Sequence, residues 1–312
     1  MKNTALHKMV SLARRPQALA ATKAYLEERM RVFLRRNERV LICLTNKGIG
    51  SLAQLLEEVV TDAGGIPIMW GPDYRWKGLL RQAFESRATV IVGPPLTVLG
   101  LTKLARVSGT PLFIRNVLTA GGPCLDWMED GIHRGLDCQT WGCFDPGDEE
   151  LIAGFSCDRS QGIHLRDDVY QIEAVNEQGE PLPDGTVGDL ILISREAPEL
   201  RMHTGSRGRV LRTPCDCGDM GSRVLDISRC FGADEDLAEL GARILSMSSV
   251  LDCSLHKGIR GLEMELVVFP GETLPNLPSC AKRLVRCWDP DRDEPPGAAP
   301  NFTSSAFCGE NY

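Results

Sequence analysis

The chain has 312 residues, 43% hydrophobic and 25% charged, with a net charge of −7 and an isoelectric point near 5.4. That composition suits a globular protein of roughly two or three compact units. It excludes a membrane-spanning helix, since no apolar run approaches the roughly 20 residues needed. It argues against a nucleic-acid partner, since Lys and Arg gather into no broad patch.

The first 26 residues hold Lys2, Lys8, Arg14, Arg15 and Lys23 and no acid, but lack the apolar core of a secretory signal. They read as a basic, frayed helix start, which points to a cytoplasmic protein. There the 12 cysteines stay mostly reduced, and close pairs suggest metal rather than disulfide.

Residues 16–36 read as a helix, with Pro16 near its start and Asn37 near its end. RVLICL (39–44) is a short buried strand, and SLAQLLEEVVTDAGG is an amphipathic helix stopped by Gly64 and Gly65. IPIMWG is a second strand, a helix follows over 78–86, and ATVIVG (88–93) is a third strand. A helix over 96–108 leads to the strand PLFIRNVLTAGG. This alternation predicts an α/β fold, a parallel sheet flanked by helices. Near Gly142 the pattern changes. GIHLRDDVYQIEAVNEQGEPLPDGTVGDLILIS alternates with period two about a Gly/Pro/Asp turn and predicts an antiparallel β subdomain. From Val224 to Phe269 a strand, a helix (235–247) and two more strands predict a small α/β unit, and DPDRDEPPGAAPN begins a disordered tail. The expected division is an N-terminal helix (1–37), an α/β subdomain (38–145), an antiparallel β subdomain (146–223), a small lid-like α/β domain (224–289) and the tail (290–312).

TNKGIGS (45–51) lies between strand and helix, where phosphates bind in many folds, but it is neither a P-loop nor a full dinucleotide fingerprint, and its glycines suit a turn. Cys157, His164, Cys215 and Cys217 run C-x6-H, a long gap, then C-x-C before Gly218. Thiolate and imidazole are the ligands of four-coordinate structural zinc. By spacing alone they are equally four unrelated residues of a cysteine-rich chain. His133, in MEDGIHRGLD, sits among acids as at a solvated helix end, and no Ser-His-Asp or Cys-His arrangement stands out. In LRMHTGSRGRV (200–210), Thr204-Gly205 reads as a turn, with or without a ligand.

Several of these segments together resemble the AMP-dependent acyl-CoA ligases, the adenylate-forming superfamily, in its phenylacetate-CoA ligase-like branch. The GIHLRDDVYQ…GEPLPDG…GDLILIS segment is similar to that branch's Gly-x-His strand, turn and following strand. PELRMHTGS (198–206) resembles its P-L-I-R-Y-R-T-G-D, and VLTAGGP (117–123) its glycine-rich adenine loop. WGCFD (141–145) sits where the family has aromatic-Gly-x-Ser/Thr-Glu, and PCDCG (214–218) resembles the CPCG of zinc-bearing members. The likeness runs over residues 20–290 in order.

The resemblance implies carboxylate activation by ATP as acyl-AMP, then attack by CoA. It implies a nucleotide site of Gly121, Gly122, Trp141, Asp145, Thr204 and Ser206, a Mg2+ ion held by Asp145, and a structural Zn2+ held by Cys157, His164, Cys215 and Cys217. Lys282 stands, one register off, near the place of a catalytic lysine. The departures are Asp145 for Glu, Ser206 for the ribose-binding acid, and Met202 and His203 for Tyr and Arg. The family's phosphate loop would precede the segment matching the first helix, so its absence from the 312 residues predicts a chain that alone does not form acyl-AMP. Two expectations follow. One is a ligase-like protein, acting on a small-molecule carboxylate, whose N-terminal part is encoded upstream or comes from a partner subunit. The other is a non-catalytic, zinc-stabilised binding or accessory protein.

Overall fold

The computed structural model describes residues 2–44, 50–70, 75–122, 124–146, 151–159, 162–229, 235–258, 261–271, 277, 280, 282–289 and 301–304. The reading of TNKGIGS as a glycine turn falls on 45–49, outside them, except for Gly50 and Ser51. Ser51 caps the helix that follows, accepting from the amide of Gln54.

Strands β1 (Arg39–Ile42), β2 (Ile66–Met69), β3 (Val90–Gly93), β4 (Asn116–Thr119) and β5 (Gln139–Phe144) are separated by helices α3 (Leu52–Asp62), α4 (Trp76–Glu85), α5 (Pro95–Ser108) and α6 (Asp126–Leu136). The strands pair in parallel in the order β2-β1-β3-β4-β5. Their side chains alternate between two cores. Val40, Ile42, Val90, Val92 and Leu118 pack with α3 and with α2 (Pro16–Met30). Leu41, Cys43, Ile91 and Val117 pack under α4, α5 and α6. Strands buried on both faces read as unbroken apolar runs, which is how RVLICL and ATVIVG announce themselves.

The helix over 16–36 ends earlier than its pattern suggested, at Met30, and Asn37 adopts φ 65° at the entry to β1. The basic start is a helix of its own, α1 (Lys2–Ala13). Met9 of α1 enters a different core from the one α2 serves, so the expected N-terminal unit is divided between two parts of the molecule.

Helix α6 was hidden by Gly131 and Gly135, each costing about 1 kcal/mol of helix propensity. A Cβ on Gly131 would lie 2.7 Å from Leu99 Cδ1, and one on Gly135 2.0 Å from Thr102 Cγ2. Both glycines let α6 lie close on α5, and that packing offsets their cost.

Beyond β5 the same sheet continues as antiparallel β6 (Gly154–Ser156), β7 (Ile163–Leu165), β8 (Tyr170–Val175), β9 (Val187–Ser194), β10 (Arg201–Leu211) and β11 (Arg223–Arg229), in an 11-stranded sheet ordered β2-β1-β3-β4-β5-β6-β7-β11-β10-β9-β8. The expected boundary at Val224 is corrected here. β11 lies between β7 and β10 in this sheet, not in the small unit. The small unit is α7 (Glu235–Leu245) on a 4-stranded sheet, ordered β14-β13-β12-β15, of β12 (Val250–Gly258), β13 (Gly261–Val268), β14 (Lys282–Cys287) and β15 (Asn301–Ser304). β15 corrects the tail as well. Asn301–Ser304 pairs in parallel with β12, whose edge offers unpaired backbone groups to any extended segment. The rest of the expected tail, 290–300 and 305–312, lies outside the described residues.

Candidate functional site

Ligands of open α/β sheets bind at the carboxyl ends of the strands, and there the chain leaves β4 through Ala120 into Gly121 and Gly122. These residues take φ of 87° and 139°, a region glycine enters without strain. Their amides converge on Asp145, one residue past β5. Gly121 N–H donates to one carboxylate oxygen and Gly122 N–H to the other, the latter at 3.1 Å. Asp145 is 5% exposed. Loop and acid form one unit, with the charge-assisted bonds of the carboxylate directed at the backbone.

The neighbouring residues serve the interior. Phe144, where the resembled motif carries Ser or Thr, is buried with Met9 and Leu151. The Trp141 indole stacks on Phe33, ring centroids 5.1 Å apart, and donates through Nε1 to Asn116 Oδ1 at 3.2 Å. Beside the loop a cleft of about 320 Å³ opens among β5, α6, β7 and β11, with Thr119, Asp126, Glu129, Thr140, Ser156 and Asp226 on its walls.

Thr204-Gly205-Ser206 is not a turn between strands but lies inside β10. Its pairing with β9 shifts register between His203 and Arg207, and Gly205 takes φ 71°. The bulge keeps Thr204 and Ser206 buried on the face of Met202 and Val210. The Thr204 hydroxyl donates to Leu190 O at 2.9 Å and accepts from the Ser206 amide at 3.1 Å. The walls of the cleft include no residue of β10. Lys282 begins β14, exposed, at an edge of the small sheet. The structure therefore joins Gly121, Gly122 and Asp145 directly, sets Trp141 on the wall of the adjoining cleft, and places Thr204, Ser206 and Lys282 away from it.

The second constellation is drawn together by strand pairing. Cys157 follows β6, and His164 lies in β7, opposite Phe155 of β6 and Arg223 of β11. Cys215 and Cys217 occupy the turn from β10 to β11. That turn is closed by the Cys215 amide on Asp219 O and the Gly218 amide on Cys215 O, at 3.0 and 2.9 Å, with Gly218 at φ 91°. All four ligand atoms lie within 4.8 Å of one another. Cys157 Sγ is 3.9 Å from Cys215 Sγ, and Cys217 Sγ is 3.4 Å from His164 Nε2.

His164 is fully buried, and burial lowers its pKa against the pull of Asp219, which favours the neutral imidazole that binds metal. Burial opposes ionisation of Cys215, but the Cys217 amide and thiol, the Cys157 thiol and Arg223 bring its pKa below the usual value. Cys217 is pushed up to about 11, by burial and by the neighbouring sulfurs. Without a cation Cys215 therefore ionises more readily than Cys217. Three sulfurs and an imidazole at these distances fit a four-coordinate Zn2+.

Asp219, which the sequence reading passed over, stands behind this cluster. Its Oδ2 lies 3.4 Å from His164 Nδ1 and takes Arg29 Nη2 of α2 at 3.0 Å. A carboxylate behind a ligating imidazole orients it. The acid immediately after C-x-C-Gly was the available signal.

No family model matches the sequence, and no curated protein matches it. Solved structures match by shape, and the fold is that of the adenylate-forming CoA ligases. A 2-hydroxyisobutyryl-CoA ligase in the postadenylation state with R3-HIB-AMP superposes with a TM-score of 0.63 at 15% identity, over 80% of this chain and 58% of its own. The anthranilate CoA ligase AuaEII, solved with anthranoyl-AMP, gives 0.56 at 11% identity, over 84% and 59%. A benzoate CoA ligase from Burkholderia xenovorans LB400 gives 0.55 at 14% identity, over 90% and 64%. The chain spans less than two thirds of the length of these three ligases.

Proposed function

We propose that the protein is an AMP-dependent acyl- or aryl-CoA ligase-like protein of the phenylacetate-CoA ligase-like branch, with adenylation impaired in the 312-residue chain. The observation that carries this reading is the Gly121–Gly122–Asp145 unit at the carboxyl end of a parallel sheet of adenylate-forming shape. Gly121 and Gly122 form the wall against which an adenine lies. Asp145 is the acid for Mg2+, its oxygens shared with the loop. Thr204 and Ser206 take the ribose position without its carboxylate, Trp141 lines the cleft beside the loop, and Lys282 is the candidate cation of the small unit. CoA and a small carboxylate are the remaining substrates of this chemistry. Zn2+ on Cys157, His164, Cys215 and Cys217 holds the antiparallel strands together. A closed four-ligand shell leaves no position for water.

A second reading, a non-catalytic zinc-stabilised binding or accessory protein, is favoured by Phe144, buried in the core at the place of a polar motif residue. Calorimetric titration with AMP separates the two. The ligase-like reading expects weak saturable binding that Asp145→Ala abolishes. Absence of binding by the wild-type chain leaves the second reading. In ATP–pyrophosphate exchange with benzoate or phenylacetate, the chain should stay at background, and exchange above it would overturn the impairment.

A further inference from the structure

The parallel strands all begin at one end of the sheet. Arg39 is level with Ile66, Val40 with Val90, Val90 with Asn116, and Asn116 with Gln139. Residues just ahead of these starts share a surface at the end opposite Gly121 and Asp145. Backbone bonds fasten it. Asn37 N–H donates to Gly64 O, Thr89 N–H to Arg39 O, and Arg115 N–H to Thr89 O, each at 2.8 Å.

Two kinds of side chain stand out on this end. Val32, Ile66, Phe84 and Phe113 are exposed by 52, 41, 42 and 53%. They are half of the eight large apolar side chains exposed among the described residues. Arg31, Arg35 and Arg36 ahead of β1 and Arg87 ahead of β3 are exposed at the same end. The acid beneath, Glu38, is buried and already taken by Arg115 and the Thr89 hydroxyl. The exposed acids at the helix ends on this side are Glu85, Asp137 and Asp62, the last paired with Lys23 at 2.7 Å. On a chain of net charge −7 this end is locally basic.

We propose that this end of the sheet is a docking surface for an acidic protein segment that alternates carboxylates with apolar side chains. Apolar patches rimmed by charge mark interaction sites. Interfaces favour Phe and Arg, and Arg grips a carboxylate through two parallel N–H donors. A single-stranded nucleic acid would use stacking platforms, and of the four apolar side chains only Phe84 and Phe113 offer a ring, on separate elements, while Val32 and Ile66 offer none. The surface is remote from the candidate nucleotide loop, so a partner seated there leaves the loop open.

The probe is a fluorescein-labelled peptide alternating Glu with Phe and Leu, followed by anisotropy against the full chain. Binding should be saturable, weaken with added salt, and drop about tenfold in Arg36→Glu/Arg87→Glu and in Phe113→Ser. These residues are exposed, so the variants should keep the wild-type Tm. If the arginine pair disturbs folding, Phe113→Ser alone carries the test. Absence of binding overturns the proposal, as does binding unchanged by both variants. So does tighter binding of a single-stranded oligonucleotide or of phosphatidylserine vesicles.

Discussion

Ser206 shows what one side chain can decide. It is 5% exposed on the inner face of β10, between Thr204 and Gly208. Restoring an acid there, Ser206→Asp, buries a charge whose natural partner would be a ribose. Unpaired, it should lower stability by about 1–3 kcal/mol, the cost of a buried unsatisfied group. Saturating AMP should recover part of the lost Tm if the position still faces a nucleotide. A loss of Tm that AMP leaves untouched would show that Ser206 belongs to the core alone.

The metal residues give a second test at this scale. Elemental analysis of protein purified without added metal should find about one zinc per chain, lost in Cys215→Ala/Cys217→Ala. Asp219→Asn should retain the ligands but weaken zinc binding about 10- to 100-fold, read by competition with a chromogenic chelator. Affinity unchanged in that variant would remove Asp219 from the site.

Helices α4, α5 and α6 are locked by glycines that a propensity argument counts as faults. A Cβ on Gly100 in α5 would sit 2.0 Å from Trp76 Cη2 in α4. Ala at that position gains about 1 kcal/mol of helix propensity, and forcing the indole aside costs about 1–3 kcal/mol. Trp76 is 5% exposed and has little room to move. Gly100→Ala should therefore lower stability in denaturant unfolding, against its propensity. A gain would mean that the two helices slide apart at no cost.

At the scale of the molecule, a buried lysine ties the small α/β unit to the large sheet. Lys103 of α5 donates through Nζ to Leu245 O and Val250 O at 2.5 and 2.8 Å, and Arg106 reaches Ser248 O at 3.1 Å. Leu251 and Phe269 of the small unit enter the core under α5 and α6. Burial lowers the Lys103 pKa from 10.5 to about 8, with Asp252 pulling the other way and Arg106 adding to the fall. Between these two values the unfolded chain binds the proton that the folded chain has released, so the lysine's contribution to stability rises as pH climbs from about 8 toward 10.5. Below pH 8 its desolvation cost is constant. Lys103→Met should abolish that rise. It should also weaken docking by about 1–3 kcal/mol, because two buried carbonyls lose their donor. Hydrogen exchange over α7 and β12 reads the docking. Unchanged protection in the variant would show that the apolar contacts suffice.

The parallel half of the sheet was legible because its signals are local. RVLICL, IPIM and ATVIVG are apolar runs at strand length, and SLAQLLEEVV repeats at helical spacing. The Cys157, His164, Cys215 and Cys217 cluster was legible as residue types at suggestive intervals, whereas Gly121 and Gly122 read as the end of a strand and stood out as a loop only through the family resemblance. Pairing was not legible. RVLDISR reads as a strand but carries nothing to say which sheet it joins, and the tertiary structure placed it between β7 and β10. HTGS reads as a turn, because Gly at positive φ serves a turn and a bulge alike, and only the register with β9 distinguishes them. The glycines of DWMEDGIHRGL conceal a helix until the surface of α5 is set against it. Periodicity is written along the chain within a few residues. The partners of a strand, the face on which Ser206 lies and the carboxylate that reaches Gly121 depend on segments tens of residues away, and folding alone brought them together.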